Sequence, residues 1–173
     1  GIVTGVFLGL YSGIGGIAWS PASNTPANTQ PGAGVSVTVA PATITFSNVQ
    51  SAGNTTVTTS ADGPPPPSGF KLGEPPTFYD VATTAGYTGP VSVCITYTEG
   101  TFQDESLLQI NHFEPPVWVN RTVSLDTNTN IICAQTASLS PFAIFEPEDA
   151  TPPLLTLPGD IVTNATNPSA TAV

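Results

Sequence analysis

The sequence predicts an all-β fold, an antiparallel Ig-like β-sandwich with a detached strand at its N-terminal side. Short runs rich in Val, Ile, Thr and aromatic residues recur about every 8 to 12 positions, the spacing typical of sandwiches and barrels. Turn residues separate them, since 19 Pro and 16 Gly are spread through the 173 residues. No window has the 3.6-residue apolar period of an amphipathic helix.

The first segment, residues 1–19, carries no charge and is mostly apolar. Six glycines would each cost a helix about 1 kcal/mol, whereas a two-residue period collects aliphatic side chains on one face, so a long strand is favoured. A membrane or filament-core helix and a leftover signal segment remain alternatives. The predicted assembly strand presents Ile2, Val6, Leu8, Leu10 and Ile14, with Gly5, Gly9 and Gly13 allowing close backbone approach.

Residues 20–34 lack both periodicity and large apolar side chains, which indicates an extended linker. The sandwich is expected over residues 35–147, and residues 148–173 form a tail too short for a core of its own. Four consecutive prolines at 64–67 cannot join a sheet ladder and predict an exposed polyproline II crossover. Strands are expected at 35–39, 43–46, 55–59, 77–82, 91–98, 107–113, 117–123, 130–135 and 142–145.

Charge excludes two classes of partner. Twelve acidic residues face only Lys71 and Arg121, for a formal net charge of −10. Nucleic-acid binding and attraction to anionic lipid both require clustered basic residues, so neither partner is expected. The apolar content still exceeds that of disordered chains.

The sequence also indicates an exported protein. It contains no methionine, which suggests that Gly1 follows a removed leader, and its only two cysteines lie 39 positions apart within alternating apolar runs. A Cys94–Cys133 disulfide is predicted, with two buried free thiols as the alternative. Glycosylation sequons begin at Asn54, Asn120 and Asn164.

Four stretches resemble a sandwich module of large secreted bacterial and archaeal surface proteins: Pro67-Ser-Gly-Phe-Lys-Leu-Gly-Glu-Pro-Pro, Val91-Ser-Val-Cys-Ile-Thr-Tyr, the run from Trp118 and Leu139-Ser-Pro-Phe-Ala-Ile-Phe. The resemblance covers residues 35–147 and implies an extracellular, non-enzymatic building block. Such modules often precede hyalin-repeat domains, and Thr151-Pro-Pro-Leu-Leu-Thr-Leu-Pro-Gly-Asp-Ile resembles the opening strand of one.

A more remote similarity is to autoproteolytic sandwich domains, in which a His-Phe-Ser step cleaves itself. This chain has His112-Phe113-Glu114 at that place. Without a hydroxyl there is no nucleophile, so self-cleavage is not expected. His112 is the only histidine and is expected to pack or hydrogen-bond as a structural or surface imidazole.

The remaining polar clusters have structural and chemical interpretations. Residues 126–130 are expected to form an Asp/Asn turn, with incidental calcium binding as the alternative. Glu146, Glu148 and Asp149 are expected to form a solvated acidic linker, or else an interdomain calcium clamp. Lys71 raises the possibility of an internal amide crosslink, although its glycine and proline neighbours indicate a loop. No catalytic, cofactor-binding or metal-ligating residue is assigned.

The resulting hypothesis is an extracellular structural subunit that assembles head-to-tail into a pilus-like fibre by donor-strand complementation, with copies of itself as partners. It would be located at the cell surface, without membrane attachment in the mature form. Three competitors remain: a monomeric module of a larger adhesin, a pilin-like helix in a filament core, and a carbohydrate-binding module using Trp118, Tyr79 or Tyr87.

Overall fold

The computed structural model describes residues 26–139 and 141–148, which form eleven strands and one 3₁₀ turn at Glu105–Leu107. The N-terminal strand prediction, most of the linker and the hyalin-like tail lie outside these residues. The strands are β1 (Gly32–Val39), β2 (Ala42–Ser51), β3 (Thr55–Ser60), β4 (Phe70–Leu72), β5 (Phe78–Thr83), β6 (Gly86–Thr96), β7 (Gln109–Glu114), β8 (Val117–Asn120), β9 (Thr122–Asp126), β10 (Ile131–Thr136) and β11 (Pro141–Pro147).

These strands form two antiparallel sheets packed face to face, so the predicted all-β sandwich is confirmed. One sheet has the order β1-β2-β6-β10-β9 and the other β3-β5-β11-β7-β8, with β4 paired to the far half of β11. Within the described ranges, no helix is both long and apolar enough to cross a bilayer.

Several strands differ from expectation, and β2 and β6 are longer than expected, at Ala42–Ser51 and Gly86–Thr96. β1 begins at Gly32, inside the expected linker. β4 was missed because three residues are too few to show a period. The single strand expected at 117–123 is interrupted at Arg121, where the chain changes sheets: the Arg121 amide donates to Ile110 of one sheet, and its carbonyl accepts from Gln135 of the other.

The main core lies between the sheets and follows the two-residue alternation of the strands. In β11, Phe142 and Ile144 are buried in this core, whereas Ala143 and Phe145 belong to a second cluster. Each large apolar side chain buried in this way contributes about 1.5–3 kcal/mol. The fully buried large residues of the main core include Ile44, Phe46, Val91, Val93, Ile95, Ile110, Ile132 and Phe142.

The loop that contains the four prolines is bonded to the second cluster. Trp118 packs edge-on against Phe145, with ring centroids 5.1 Å apart, and its indole nitrogen donates to the Pro65 carbonyl at 2.9 Å. None of the four prolines lies in a strand, as predicted, but only Pro65 and Pro66 are exposed, while Pro64 and Pro67 are half-buried. A Cβ on Gly63 would lie 2.6 Å from the Phe78 ring, so the approach to this loop requires glycine.

The described chain begins and ends at opposite ends of the sandwich. Val49, near the end of β2, pairs with Gly32 at the start of β1. Only three residues separate β2 from β3, so Thr55 at the start of β3 lies at the same end of the sandwich, here called the lower end. Strand β3 then runs up to Ser60, which pairs with Phe78 at the upper end. Phe78 pairs with Ala143, and β11 continues past that point towards Glu148. The chain therefore enters at the lower end and leaves at the upper end.

Candidate assembly edge

Four strands form the sheet edges: β1 and β3 on one side of the sandwich, β8 and β9 on the other. An edge strand exposes unpaired N–H and C=O groups and invites pairing with another chain, unless charge, proline or a bulge blocks it. The two sides of the sandwich differ in this protection, since β3, like β1, has neither charge nor proline.

The β1 edge has none of these protective features. Its eight residues, Gly-Ala-Gly-Val-Ser-Val-Thr-Val, contain neither charge nor proline. The register with β2 runs without a shift from Gly32↔Val49 to Val39↔Ala42. Gly34 has φ 62° and interrupts the extended backbone, so the regular part of the edge is Val35–Val39. Among the described residues, nothing pairs with its outer side.

The opposite side is better guarded. β8 has four residues and directly follows Pro115 and Pro116, and β9 has five and ends at Asp126. The β9–β10 register also shifts between Cys133 and Ala134. Although Val117 and Val123 are exposed there, short, interrupted strands make a poor template for a long partner.

On this side of the sandwich, β1 of one sheet contacts β3 of the other. Val35 and Val39 on β1 and Val57 on β3 pack against the core but stay only half-buried. We call these three valines the seam. Their exposure is costly because aliphatic surface is stabilised by removal from water.

At the upper end, a cavity of about 390 Å³ opens between the sheets. Pro41, in the β1–β2 turn, lies on its wall together with Thr59 at the end of β3, and both neighbour the seam. The apolar part of the lining comes from Tyr79, Tyr97, Phe102 and Ile144.

Carboxylates and hydroxyls surround this aromatic lining. Tyr97 packs edge-on against Phe102 at 5.7 Å and donates its hydroxyl to Glu105 at 3.2 Å. Burial and the Glu105 carboxylate raise the pKa of Tyr97 to about 12, so its hydroxyl stays protonated. Glu74 and Glu99 also line the cavity, which is therefore unfavourable for an acidic ligand.

The chain is anchored where it enters the fold. Thr29 is fully buried, forms an isolated antiparallel bridge with Gly53, and its hydroxyl lies 2.6 Å from that of Thr55. The Asn28 side chain accepts from the Thr55 amide at 2.7 Å and donates to its carbonyl at 2.8 Å. The part of the expected linker from Asn28 onward is thus fixed to the sandwich, beside the start of β3.

The predicted disulfide is confirmed. Cys94 on β6 and Cys133 on β10 lie directly opposite each other in the register and are bonded. Their neighbours Val93 and Ala134 are buried in the core, so the bridge lies on the outer face of the sheet. The alternative of two free thiols is wrong.

Lys71 and Glu146 do not lie in a loop and a solvated linker, as the sequence suggested. Lys71 belongs to β4 and pairs in register with Glu146 on β11. Its ammonium lies 3.2 Å from the Glu146 carboxylate, whose side chain is only 4% exposed, and it donates to Gln103 at 2.9 Å. The expectation failed because the sequence pattern revealed neither β4 nor the C-terminal residues of β11 that pair with it.

The buried Glu146 carboxylate has polar partners that offset the cost of removing its charge from water. Burial alone raises its pKa, but the amides of Asp104 and Gln103 donate to it at 3.1 and 2.8 Å, and Lys71 adds a third contact. Together they hold the pKa of Glu146 below its usual value. This group joins β4, β11 and the 3₁₀ turn, which is a structural role.

His112 is a packed core histidine, as expected. Its ring is stacked on Phe142 at 4.7 Å, and Nδ1 lies 3.1 Å from a Glu114 carboxylate oxygen. Arg121 donates to the same oxygen from Nε at 2.9 Å. These hydrogen bonds, from Arg121 first and His112 second, lower the pKa of Glu114.

Residues 126–130 form the β9–β10 hairpin turn, as predicted. The Asp126 carboxylate accepts from the Asn128 amide at 3.0 Å and the Thr129 hydroxyl at 2.8 Å. The Thr129 bond is the main cause of its lowered pKa. Asn130 closes the turn with φ 55°, a left-handed conformation that asparagine tolerates.

Two sequons fall within the described residues. Asn54 and Asn120 are exposed, whereas Asn164 lies outside the described ranges. Thr122 of the Asn120 sequon accepts from the Ile110 amide at 2.9 Å, so its hydroxyl has a structural use.

Comparison with known proteins found no matching family model, curated protein or solved structure. The resemblance to surface-protein modules and hyalin repeats therefore remains a prediction. The assembly-strand residues lie outside the described part of the chain; what the described residues add is a candidate acceptor for them, the β1 edge, which sequence alone had not located.

Proposed function

We propose that this protein is an extracellular structural subunit that assembles head-to-tail, each copy inserting residues 1–19 along the β1 edge of the next. The observation that carries the proposal is this edge, which has neither charge nor proline and keeps one register with β2, with half-buried seam valines beside it. In ordinary soluble proteins such an edge would be blocked.

Donor and acceptor are complementary. The donor is uncharged, and the acceptor edge carries no charge either, so two copies with net charge −10 meet where their repulsion is small. Backbone pairing would satisfy the open groups of β1, while the aliphatic face of the donor would cover apolar surface of the seam. A contact that never closes on itself propagates as a fibre.

Two further features agree with this proposal. The disulfide suits an oxidising, extracellular compartment. The described residues begin and end at opposite ends of the sandwich, which suits a linear array and equally suits the alternative of a tandem module in a longer cell-surface adhesin. That alternative predicts monomers whose own N-terminal segment covers β1.

Electron microscopy and light scattering of the full chain test the proposal. We expect fibres from the unaltered protein and dispersed globules after Val35→Lys, because an inward-pointing lysine at an edge opposes strand addition. Ser36→Lys is the matched control: it adds the same charge one residue along, on the exposed outer face, and should leave fibres intact.

Thermal unfolding separates assembly from folding in these variants. If Val35→Lys unfolds, Val39→Lys places the same charge at the upper end of β1 and repeats the test. Globular monomers from the unaltered protein at every concentration would contradict the proposal, as would fibres equally abundant in the seam variant and the control.

A further inference from the structure

Resting on this proposed function, we infer the direction of the donor: it runs parallel to β1, and the C-terminal end of its apolar face, Ile14, enters the upper cavity of the neighbouring copy. Three features of the molecule determine this direction: the point at which the chain enters the sandwich, the reach of its linker and the position of the cavity.

Chain polarity fixes the direction. The donor departs from the lower end of its own sandwich, since Thr29 is bridged to Gly53 there. In a head-to-tail row, this lower end faces the upper end of the next copy. The part of the donor nearest the linker must therefore lie at the neighbour's upper end, with residue 1 farther down. β1 also runs from lower to upper end, so donor and β1 are parallel.

Linker length opposes the antiparallel arrangement. Residues 20–27 separate the donor from the anchored Asn28 and span at most about 28 Å. An antiparallel donor would place residue 19 at the neighbour's lower end. The linker would then have to run back along the eight residues of β1, about 26 Å at 3.3 Å per residue. This would use nearly all of its maximum span before it reached its own domain.

The parallel register matches the acceptor features. Strand residues advance equally in paired strands, so a register with Leu8 level with Val35 and Leu10 level with Val37 places Ser12 level with Val39, the last residue of β1. Ile14 then lies past the end of β1, at the level of the β1–β2 turn that contains Pro41. Pro41 lines the cavity, and both valines face the core. The same donor face thus covers the lower part of the seam and ends at the cavity.

The chemistry of the cavity fits an uncharged aliphatic side chain. Tyr79, Tyr97 and Phe102 provide apolar walls, and a volume of about 390 Å³ exceeds that of one aliphatic side chain. Glu74 and Glu99 on the rim oppose acidic segments, and residues 1–19 contain none.

Intermolecular thiol crosslinking tests the direction. Neither native cysteine is free, so single variants can be mixed: Ile14→Cys with Thr59→Cys, and separately Ile2→Cys with Thr59→Cys. Disulfides form only between closely opposed backbones. After co-assembly and mild oxidation, non-reducing gels should show a covalent heterodimer at least tenfold more abundant in the first mixture.

A heterodimer mainly in the Ile2 mixture would establish an antiparallel donor and overturn the inference. Fibres without either crosslink would overturn the assignment of the cavity while leaving the proposed function intact. Absence of fibres in the unaltered protein would instead refute the proposed function, and the inference with it.

Filling the cavity gives a second test. Thr59→Trp should slow fibre growth at least tenfold, because the indole would occupy the space assigned to Ile14. Thr58→Trp is the matched control, with the same substitution on the same exposed strand but the opposite face. Equal growth rates in the two variants, with unchanged thermal unfolding, would overturn the assignment.

Discussion

Removing the Cys94–Cys133 bridge should lower the free energy of unfolding by about 4 kcal/mol. The cysteines are 39 positions apart, and closing a loop of about 40 residues removes about 13 cal/mol/K of entropy from the unfolded chain, which is about 4 kcal/mol at 25 °C. Because whole domains are stable by only about 5–15 kcal/mol, the bridge contributes a large share.

Urea unfolding of the Cys94→Ala/Cys133→Ala double variant measures this loss. With a slope of about 2 kcal/mol per molar urea, the midpoint should fall by about 2 M. A reductant should lower the midpoint of the unaltered protein similarly and leave the variant unchanged, which controls for effects of alanine itself. A loss below about 1 kcal/mol would refute the reasoning, because the bridge would then constrain little of the unfolded chain.

Three further changes test local contacts. Glu146→Gln should cost about 1.5–3 kcal/mol of unfolding free energy by weakening charge-assisted hydrogen bonds. Because the pKa of Glu146 is lowered in the folded protein, the ionised side chain stabilises the fold above its unfolded pKa of about 4.3, and this stabilisation is lost as the pH falls through the lower folded pKa. The unfolding free energies of the variant and the unaltered protein, measured by denaturation at a series of pH values, should therefore converge in acid. Thr29→Val should cost about 0.5–1.5 kcal/mol in urea unfolding by removing the buried hydroxyl contacts with Asn28 and Thr55, whereas Thr38→Val, at an exposed site, should cost less than half as much. Gly63→Ala should lower the thermal midpoint, with a loss of about 1–3 kcal/mol, because the new methyl would meet the buried Phe78 ring; an unchanged midpoint would contradict that contact.

The sandwich could be predicted from sequence because its strands alternate strongly. In the run from Val91, inward and outward residues separate cleanly, and Val91, Val93 and Ile95 are all fully buried. The disulfide followed from the same alternation, which placed both cysteines within strands. Periodicity is a local signal, and these features are encoded locally.

The features that failed depend on distant partners. Lys71 has glycine and proline neighbours, yet pairing with β11 makes its short segment a strand. Arg121 continues an apparent alternation, but backbone bonds to both sheets break the strand there. Which strand lies at an edge also depends on the order of both sheets, so the sequence could suggest a donor without locating its acceptor.

The contrast between the two sides of the sandwich gives the proposed assembly its physical logic. Pro115, Pro116 and the register shift near Cys133 protect one side, so the chain evidently contains the means of blocking an edge. Strand β1 itself contains no charge, no proline and no register shift with β2. Unprotected pairing groups favour association unless another segment covers them, and on that side Asn28 is bonded to Thr55 at the start of β3. Whether that cover comes from the same copy or its neighbour is what the mixed-cysteine experiment measures, since a covalent heterodimer can form only between molecules.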